Sequence, residues 1–203
     1  MPRPELILEP DRTALVIVEC QNGVVGPDSA LPDLAAAAAP ILPVIGRLAR
    51  AARKAGVRVV HLTYEPVFDG RSANQNTPLQ KGIHATTSGW TAEDAGTAIV
   101  DEIGVDPADL VLPRHSGMSP THSTELFALL RNLGVRTVVL AGVSLNVAIP
   151  VAAVELADEG FSVAVARETV AGTPAEHAES MMRYTLRFLA TITTADEVIS
   201  AWS

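Results

Sequence analysis

The 203 residues are 48% hydrophobic and carry 23 acidic against 15 basic side chains, a net charge of -8 at pH 7. That length and apolar content suit one domain over residues 1–203 with a substantial core. The single cysteine, Cys20, excludes an internal disulfide, and the acidic balance argues against nucleic acid as a partner. The opening residues Met1-Pro2-Arg3-Pro4-Glu5 offer neither a basic region nor an apolar run, so no secretory signal is expected and a cytoplasmic location is. Thr13-Ala14-Leu15-Val16-Ile17-Val18 then predicts a first strand, and the Ala-rich stretch after it predicts a helix stopped at Gly56. Val57 to Thr63 predicts a second strand, Leu110-Val111-Leu112 a short third and Thr137 to Val143 a fourth. Between the second and third, Glu65 to Gly96 follows neither the helical nor the strand period over most of its length. It reads either as a surface excursion or oligomer contact, or as a lid bringing Trp90 or His84 to a pocket. Helices are expected from Thr124 to Leu133, Val147 to Asp158 and Ala175 to Phe188, with strands at Ser162 to Ala166 and Thr191 to Thr193. Thr194-Ala195-Asp196-Glu197 matches a capping box that opens a last helix up to Trp202.

Connections of crossover length imply parallel pairing. The expected fold class is therefore α/β: a three-layer α/β/α sandwich on a six-stranded, mostly parallel, doubly wound sheet. The longest apolar passage, Ala141 to Leu156, is broken by Asn146, Pro150 and Glu155 and falls short of the ~20 residues of a spanning helix, so no membrane partner is expected. His61, His84, His115, His122 and His177 show no metal-ligand spacing, and Gly142 lacks the glycine pattern of a dinucleotide site. Neither a metal nor a cofactor is expected.

The stretch Val138-Val139-Leu140-Ala141-Gly142-Val143-Ser144-Leu145-Asn146-Val147-Ala148 reads as a buried strand running into a helix start, the junction at which open α/β sheets place their chemistry. It resembles the Gly-Val-x-Thr-Asn-Val-Cys signature of the isochorismatase-like cysteine hydrolases, with Ala148 where the family has its nucleophilic cysteine. Two more motifs stand in family order. Leu15-Val16-Ile17-Val18-Glu19-Cys20-Gln21-Asn22 is similar to the strand ending in Asp-x-Gln-Asn, with Glu19 at the catalytic aspartate. Leu110-Val111-Leu112-Pro113-Arg114 is similar to the strand carrying the catalytic lysine, with Arg114 in its place and Thr121 at a family phenylalanine.

The resemblance implies the isochorismatase-like, Rossmann-type strand order, a small-molecule substrate and a homodimer or higher homo-oligomer. In the usual triad the aspartate takes the thiol proton, the lysine stabilises the ionic form and the thiolate attacks a carbonyl. Ala148 can perform no covalent step. Cys20 is one residue from Glu19 on a strand and is expected to face the helical layer rather than the cleft. Ser144 precedes the helix start without a neighbouring histidine. The isochorismatases proper also lack the cysteine and hydrolyse by protonation and water addition. By that analogy Glu19 and Arg114 are expected to act on a small carboxylate- or amide-bearing metabolite, with Ala148 marking a vacant nucleophile position. Substrate contacts are expected from Gln21, Trp90, Thr121, Ser144 and Asn146, although Asn146 is also a candidate helix cap. A noncatalytic member binding a metabolite or a protein is the alternative, and a closed Glu19–Arg114 pair would favour it.

Overall fold

The computed structural model describes residues 6–203; the segment on which the secretory-signal expectation rests, Met1 to Glu5, lies outside the described residues. A 3-10 turn leads into β1 (Thr13–Val18), followed by α1 (Asn22–Val25), α2 (Pro32–Ala38), α3 (Leu42–Ala55) and β2 (Arg58–Tyr64). Then come α4 (Pro78–Thr87), β3 (Leu110–Arg114), α5 (Leu126–Asn132), β4 (Thr137–Val143) and α6 (Ala148–Asp158). The chain closes through β5 (Ser162–Ala166), β6 (Val170–Ala171), α7 (Ala175–Met181), a π-turn (Met182–Leu186), α8 (Arg187–Leu189), β7 (Thr191–Thr193) and α9 (Ala195–Ala201).

The strands pair in the order β3-β2-β1-β4-β5-β7, every pair parallel, with β6 attached to β4. Helices cover both faces, which is why the central strands read as unbroken apolar runs rather than alternating ones. Along β1 the side chains still divide by face: Leu15 and Ile17 pack toward α3 and Val198 of α9, whereas Ala14, Val16 and Val18 pack toward α5 and α6. Each fully buried leucine or isoleucine in these layers, Leu48 and Ile149 among them, contributes about 1.5–3 kcal/mol of transfer free energy. Gly56 ends α3 in the left-handed conformation at φ 79°, and its N–H reaches back to the carbonyls of Ala52 and Arg53. The capping box at Thr194 and Glu197 is formed on both sides.

The six expected strands are all present, and the sheet gains a seventh, the two-residue β6. Three local readings are corrected. The excursion from Glu65 contains a regular helix, α4, whose start is fixed by Pro78 at its first position and by the Thr77 hydroxyl accepting from the Gln80 N–H. The helix expected from Ala175 to Phe188 is interrupted by the π-turn. The helix expected from Thr124 begins at Leu126. No single helix among the described residues is long and apolar enough to cross a membrane.

Candidate active site

Sheet order reverses between β1 and β4, which run side by side with Val18 opposite Gly142. Ligands of doubly wound folds bind outside the carboxyl ends of the strands at such a reversal. Glu19 leaves β1 there, and Ser144 to Ala148 leave β4. Close approach of the two strand ends requires a glycine: at φ 106°, a Cβ on Gly142 would sit 2.2 Å from the Val18 carbonyl oxygen. Glu19 itself has φ 51°, a left-handed conformation that costs a non-glycine residue about 1–3 kcal/mol and is held here by its N–H donating to the Leu62 carbonyl at 2.9 Å.

The Glu19 carboxylate and the Arg114 guanidinium form an ion pair, with side chains only 16% and 7% exposed. Only Nη2 of Arg114 reaches Glu19; Nη1 donates to the Gly117 carbonyl at 2.7 Å, and the guanidinium lies 4.5 Å from the centre of the Tyr64 ring. Tyr64 stands directly opposite Arg114 in the β2–β3 register. Burial raises the Tyr64 hydroxyl above the ordinary phenol value, partly offset by the Thr87 side chain and the Arg114 charge.

The pair forms one end of a cavity with about 40 Å³ for water centres, enough for a few waters. Its remaining wall is largely apolar: Val24 and Leu31 from α1 and the approach to α2, Ile83 and Thr87 from α4, and Trp90 beyond it. The excursion from Glu65 thus supplies one side of the cavity, and of its two residues singled out in the sequence Trp90 lines it while His84 does not. The His84 ring lies against Gly70 instead. Trp90 is seated on Gly23, where a Cβ would fall 2.2 Å from the indole ring.

Other expected contacts have different work. Gln21 is fully buried and spends its amide on backbone: Nε2 donates to the carbonyls of Tyr64 at 3.1 Å and Thr97 at 2.9 Å, and Oε1 accepts from the Tyr64 N–H at 2.8 Å. It staples the end of β1, the end of β2 and the chain just after the excursion together. Asn146 does not cap α6. Its amide brackets Thr173, donating to that carbonyl at 2.5 Å and accepting from that N–H at 3.0 Å, because the chain enters α6 through Val147 in a conformation that turns the asparagine toward β6. Thr121 lies outside the Glu19 cavity: it is fully buried and bonds Glu155 of α6 beside Ser119, because the 115–125 loop folds toward α6. The Ser144 carbonyl accepts from the Ile149 N–H at 3.0 Å, closing the first turn of the helix, and the Val143–Ser144 peptide is cis. Ala148 is the first residue of α6, 5% exposed, and packs with Leu145 and Ile149 rather than in the cavity wall.

Cys20 faces away from the cleft, as the strand alternation predicts, into the cluster with Val24, Val25 and Ile45. Burial, reinforced by the neighbouring Glu19 charge, pushes its thiol up to about 12, which removes it as a nucleophile near neutral pH. Among the described residues no group of three or more His, Cys, Asp or Glu side chains is arranged to hold a metal ion. Sequence reasoning missed Tyr64, Ile83 and Thr87. The strand-end position that singles out Glu19 equally singles out Tyr64 on β2, whereas the α4 residues carry no local signal.

The sequence profile of the isochorismatase domain matches residues 13–197. The chain belongs to the isochorismatase family. It is similar to ureidoacrylate amidohydrolase RutB of Methylobacterium radiotolerans, 30% identical over 72% of this chain and 62% of that protein. RutB of Methylorubrum extorquens is 32% identical over 72% and 65% respectively, so the chain spans a little under two thirds of the length of these curated relatives. Among solved structures, a cysteine hydrolase from Pseudomonas syringae pv. phaseolicola superposes with a TM-score of 0.88 at 21% identity, covering 100% of this chain and 98% of that one. N-carbamoylsarcosine amidase from Thermoplasma acidophilum gives 0.69 at 23%, covering 91% and 97%. At these identities the structural likenesses establish the isochorismatase-like fold.

Proposed function

We propose that this isochorismatase-family chain is a hydrolase of a small amide- or ureide-bearing metabolite that activates water directly, with Glu19 as base and Arg114 as the electrophilic partner. The reading rests on the Glu19–Arg114 pair set at the end of a water-sized cavity at the sheet reversal, with Ala148 where the family signature has its thiol. A carboxylate beside a guanidinium offers one acceptor and one donor side by side, the complement of an amide N–H and carbonyl. With the carbonyl oxygen accepting from Arg114, Glu19 takes a proton from a cavity water, whose oxygen bonds to the carbonyl carbon. The C–N bond then breaks as Glu19 returns that proton to the departing nitrogen. Tyr64 holds the plane of the guanidinium during this exchange. The names of the curated relatives favour an amide or ureide over a vinyl ether.

A noncatalytic binding role is the second reading, favoured by the closed ion pair and the small free volume beside it. A hydrolysis screen over isochorismate, amides, ureides and carbamates separates the two. Glu19→Gln is the informative control, because Glu19→Ala would strand a buried guanidinium at a cost of about 3–5 kcal/mol and confuse activity with stability. The expected result is turnover with no covalent adduct by mass spectrometry, lowered about 10²–10⁴-fold in Glu19→Gln. Ligand binding without turnover would establish the noncatalytic role instead.

A further inference from the structure

Charge enters the Glu19 cavity at one point. Among its lining residues only Glu19 and Arg114 are charged, and each is engaged with the other. Arg114 Nη2 spends one of its two N–H groups on Glu19, and Nε has no partner among the described residues, so the guanidinium retains donors for a bound carbonyl oxygen. The hydroxyls in the wall are committed within the protein. Thr86 and Thr87 both donate to the Ile83 carbonyl, at 3.0 and 2.9 Å, and the Tyr64 hydroxyl meets the Thr87 side chain. What faces the rest of the cavity is apolar: Val24 and Leu31 from the side of α1 and α2, Ile83 and Trp90 from the side of α4. Lys81, the lysine of α4, is exposed and stands outside this lining.

We propose that the substrate is an uncharged carboxamide or ureide with a compact apolar substituent, and that a carboxylate on that substituent excludes a molecule from the site. This assignment rests on the reading of the Glu19–Arg114 cavity as the place where substrate binds. With the amide against the ion pair, the substituent points away from it, toward Val24, Leu31, Ile83 and Trp90. A carboxylate there gives up its water for a wall that offers no cation in exchange, and the one guanidinium in reach is already neutralised by Glu19, whose charge repels a second anion. An apolar group loses nothing by the same transfer and gains from leaving water. Size sets the other limit: the cavity holds a few waters, and Trp90 is braced against Gly23, so the substituent is restricted to a few carbon atoms.

Butyramide, succinamide and succinamate share a four-carbon chain whose far end is apolar, polar but uncharged, and anionic in turn. Binding by calorimetry and kcat/KM for hydrolysis, measured with the full chain at pH 7, should fall in that order, with butyramide about 100-fold or more above succinamate. Ile83→Arg places a cation in the apolar wall from a half-buried position, and should improve succinamate about tenfold over wild type and weaken butyramide, with the circular dichroism spectrum unchanged. Should that variant not fold, the three wild-type measurements decide alone. Butyramide bound but not hydrolysed, with succinamate still rejected, would support the assigned class and remove the catalytic reading. Succinamate accepted as well as butyramide would overturn the class and leave the catalytic reading standing. Failure to bind or turn over any of the three, or a folded Ile83→Arg with the wild-type preference, would likewise overturn the proposal.

Discussion

At the scale of single residues, the chain separates reactivity from position. Its one thiol, Cys20, is 3% exposed, and burial together with the Glu19 charge lifts it to about 12, leaving only about one molecule in 10⁵ as thiolate at pH 7. The family's nucleophile position, by contrast, is the first residue of an eleven-residue helix, where unsatisfied N–H groups and the helix dipole favour an anion. Two alkylation results follow. The native chain should resist iodoacetamide at neutral pH, and Ala148→Cys should gain one adduct at a rate well above that of Cys20, measured by intact mass against time. Equal rates at the two positions would mean either that position 148, 5% exposed, is closed to the reagent or that the start of α6 no longer offers anion-stabilising geometry, and a pH–rate profile of the variant separates the two. Gln21 makes the opposite point about legibility. Its motif points to a substrate contact, yet its three bonds go to the backbone of Tyr64 and Thr97. A motif identifies a position, and only the surrounding chain decides which atoms that side chain serves.

Between elements, the cavity depends on how α4 and Trp90 seat against α1. Gly23 is the contact point: a Cβ there would stand 2.2 Å from the indole ring, which is far inside any real carbon contact, so the ring has to move. Gly23→Ala is therefore expected to shift the tryptophan emission of Trp90 and to change ligand affinity more than the turnover number, since Glu19 stays in place after the end of β1 and Arg114 on β3. Trp202, buried under α3, is the second tryptophan and supplies an internal reference, so Trp202→Phe run in parallel assigns the signal. An unchanged spectrum and affinity would show that Trp90 does not shape the cavity. The strands that lead to the candidate site were legible in the sequence because a buried parallel strand is a run of β-branched residues ended by a polar one. Thr13–Val18, Thr137–Val143 and Ser162–Ala166 match their predicted bounds for this reason, and the half-buried edge strand Thr191–Thr193 matches through its alternating pattern. α4 was not legible, because Pro78 to Thr87 is polar on most sides and its few contacts are with the cavity wall. Its helicity comes from the Thr77 cap and Pro78, signals too local to show above the loop-like composition around them.

Across the whole molecule, the site and the main buried ionic network lie at opposite ends of the strands. Glu19, Arg114 and Ala148 follow the carboxyl ends of their strands. Asp109 precedes the amino end of β3 and ties that edge to α3 and β2: its carboxylate accepts from Arg53 at 2.7 and 3.2 Å, from the Asp106 N–H at 3.0 Å, and pairs with His61 Nε2 at 3.1 Å. Arg53 also donates to the carbonyls of Ile103 and Gly104, so the network fixes the loop before β3 as well. Burial holds His61 below its ordinary value of 6.5, against the partial pull of Asp109, and its Nδ1 has no hydrogen-bond partner among the described residues. Burial acts to raise Asp109, but the bonds from Arg53, the Asp106 N–H and His61 outweigh it and hold the carboxyl below 3.8. Both groups bind protons more readily in the unfolded chain than in the folded one, so both destabilise the fold on acidification. The loss from His61 begins as pH falls through about 6.5 and ends below its depressed folded value; the loss from Asp109 begins only below about 3.8. Urea midpoints are therefore expected to fall between pH 7 and 5, with His61 contributing a slope of at most about 1.4 kcal/mol per pH unit, the limit for one proton. His61→Gln keeps a donor for Asp109 without a titrating group and should flatten that part of the curve while leaving the pH dependence of the distant Glu19 site unchanged. Wild-type and His61→Gln midpoints that run parallel from pH 7 to 5 would show that the His61–Asp109 pair does not set the acid limit of this fold.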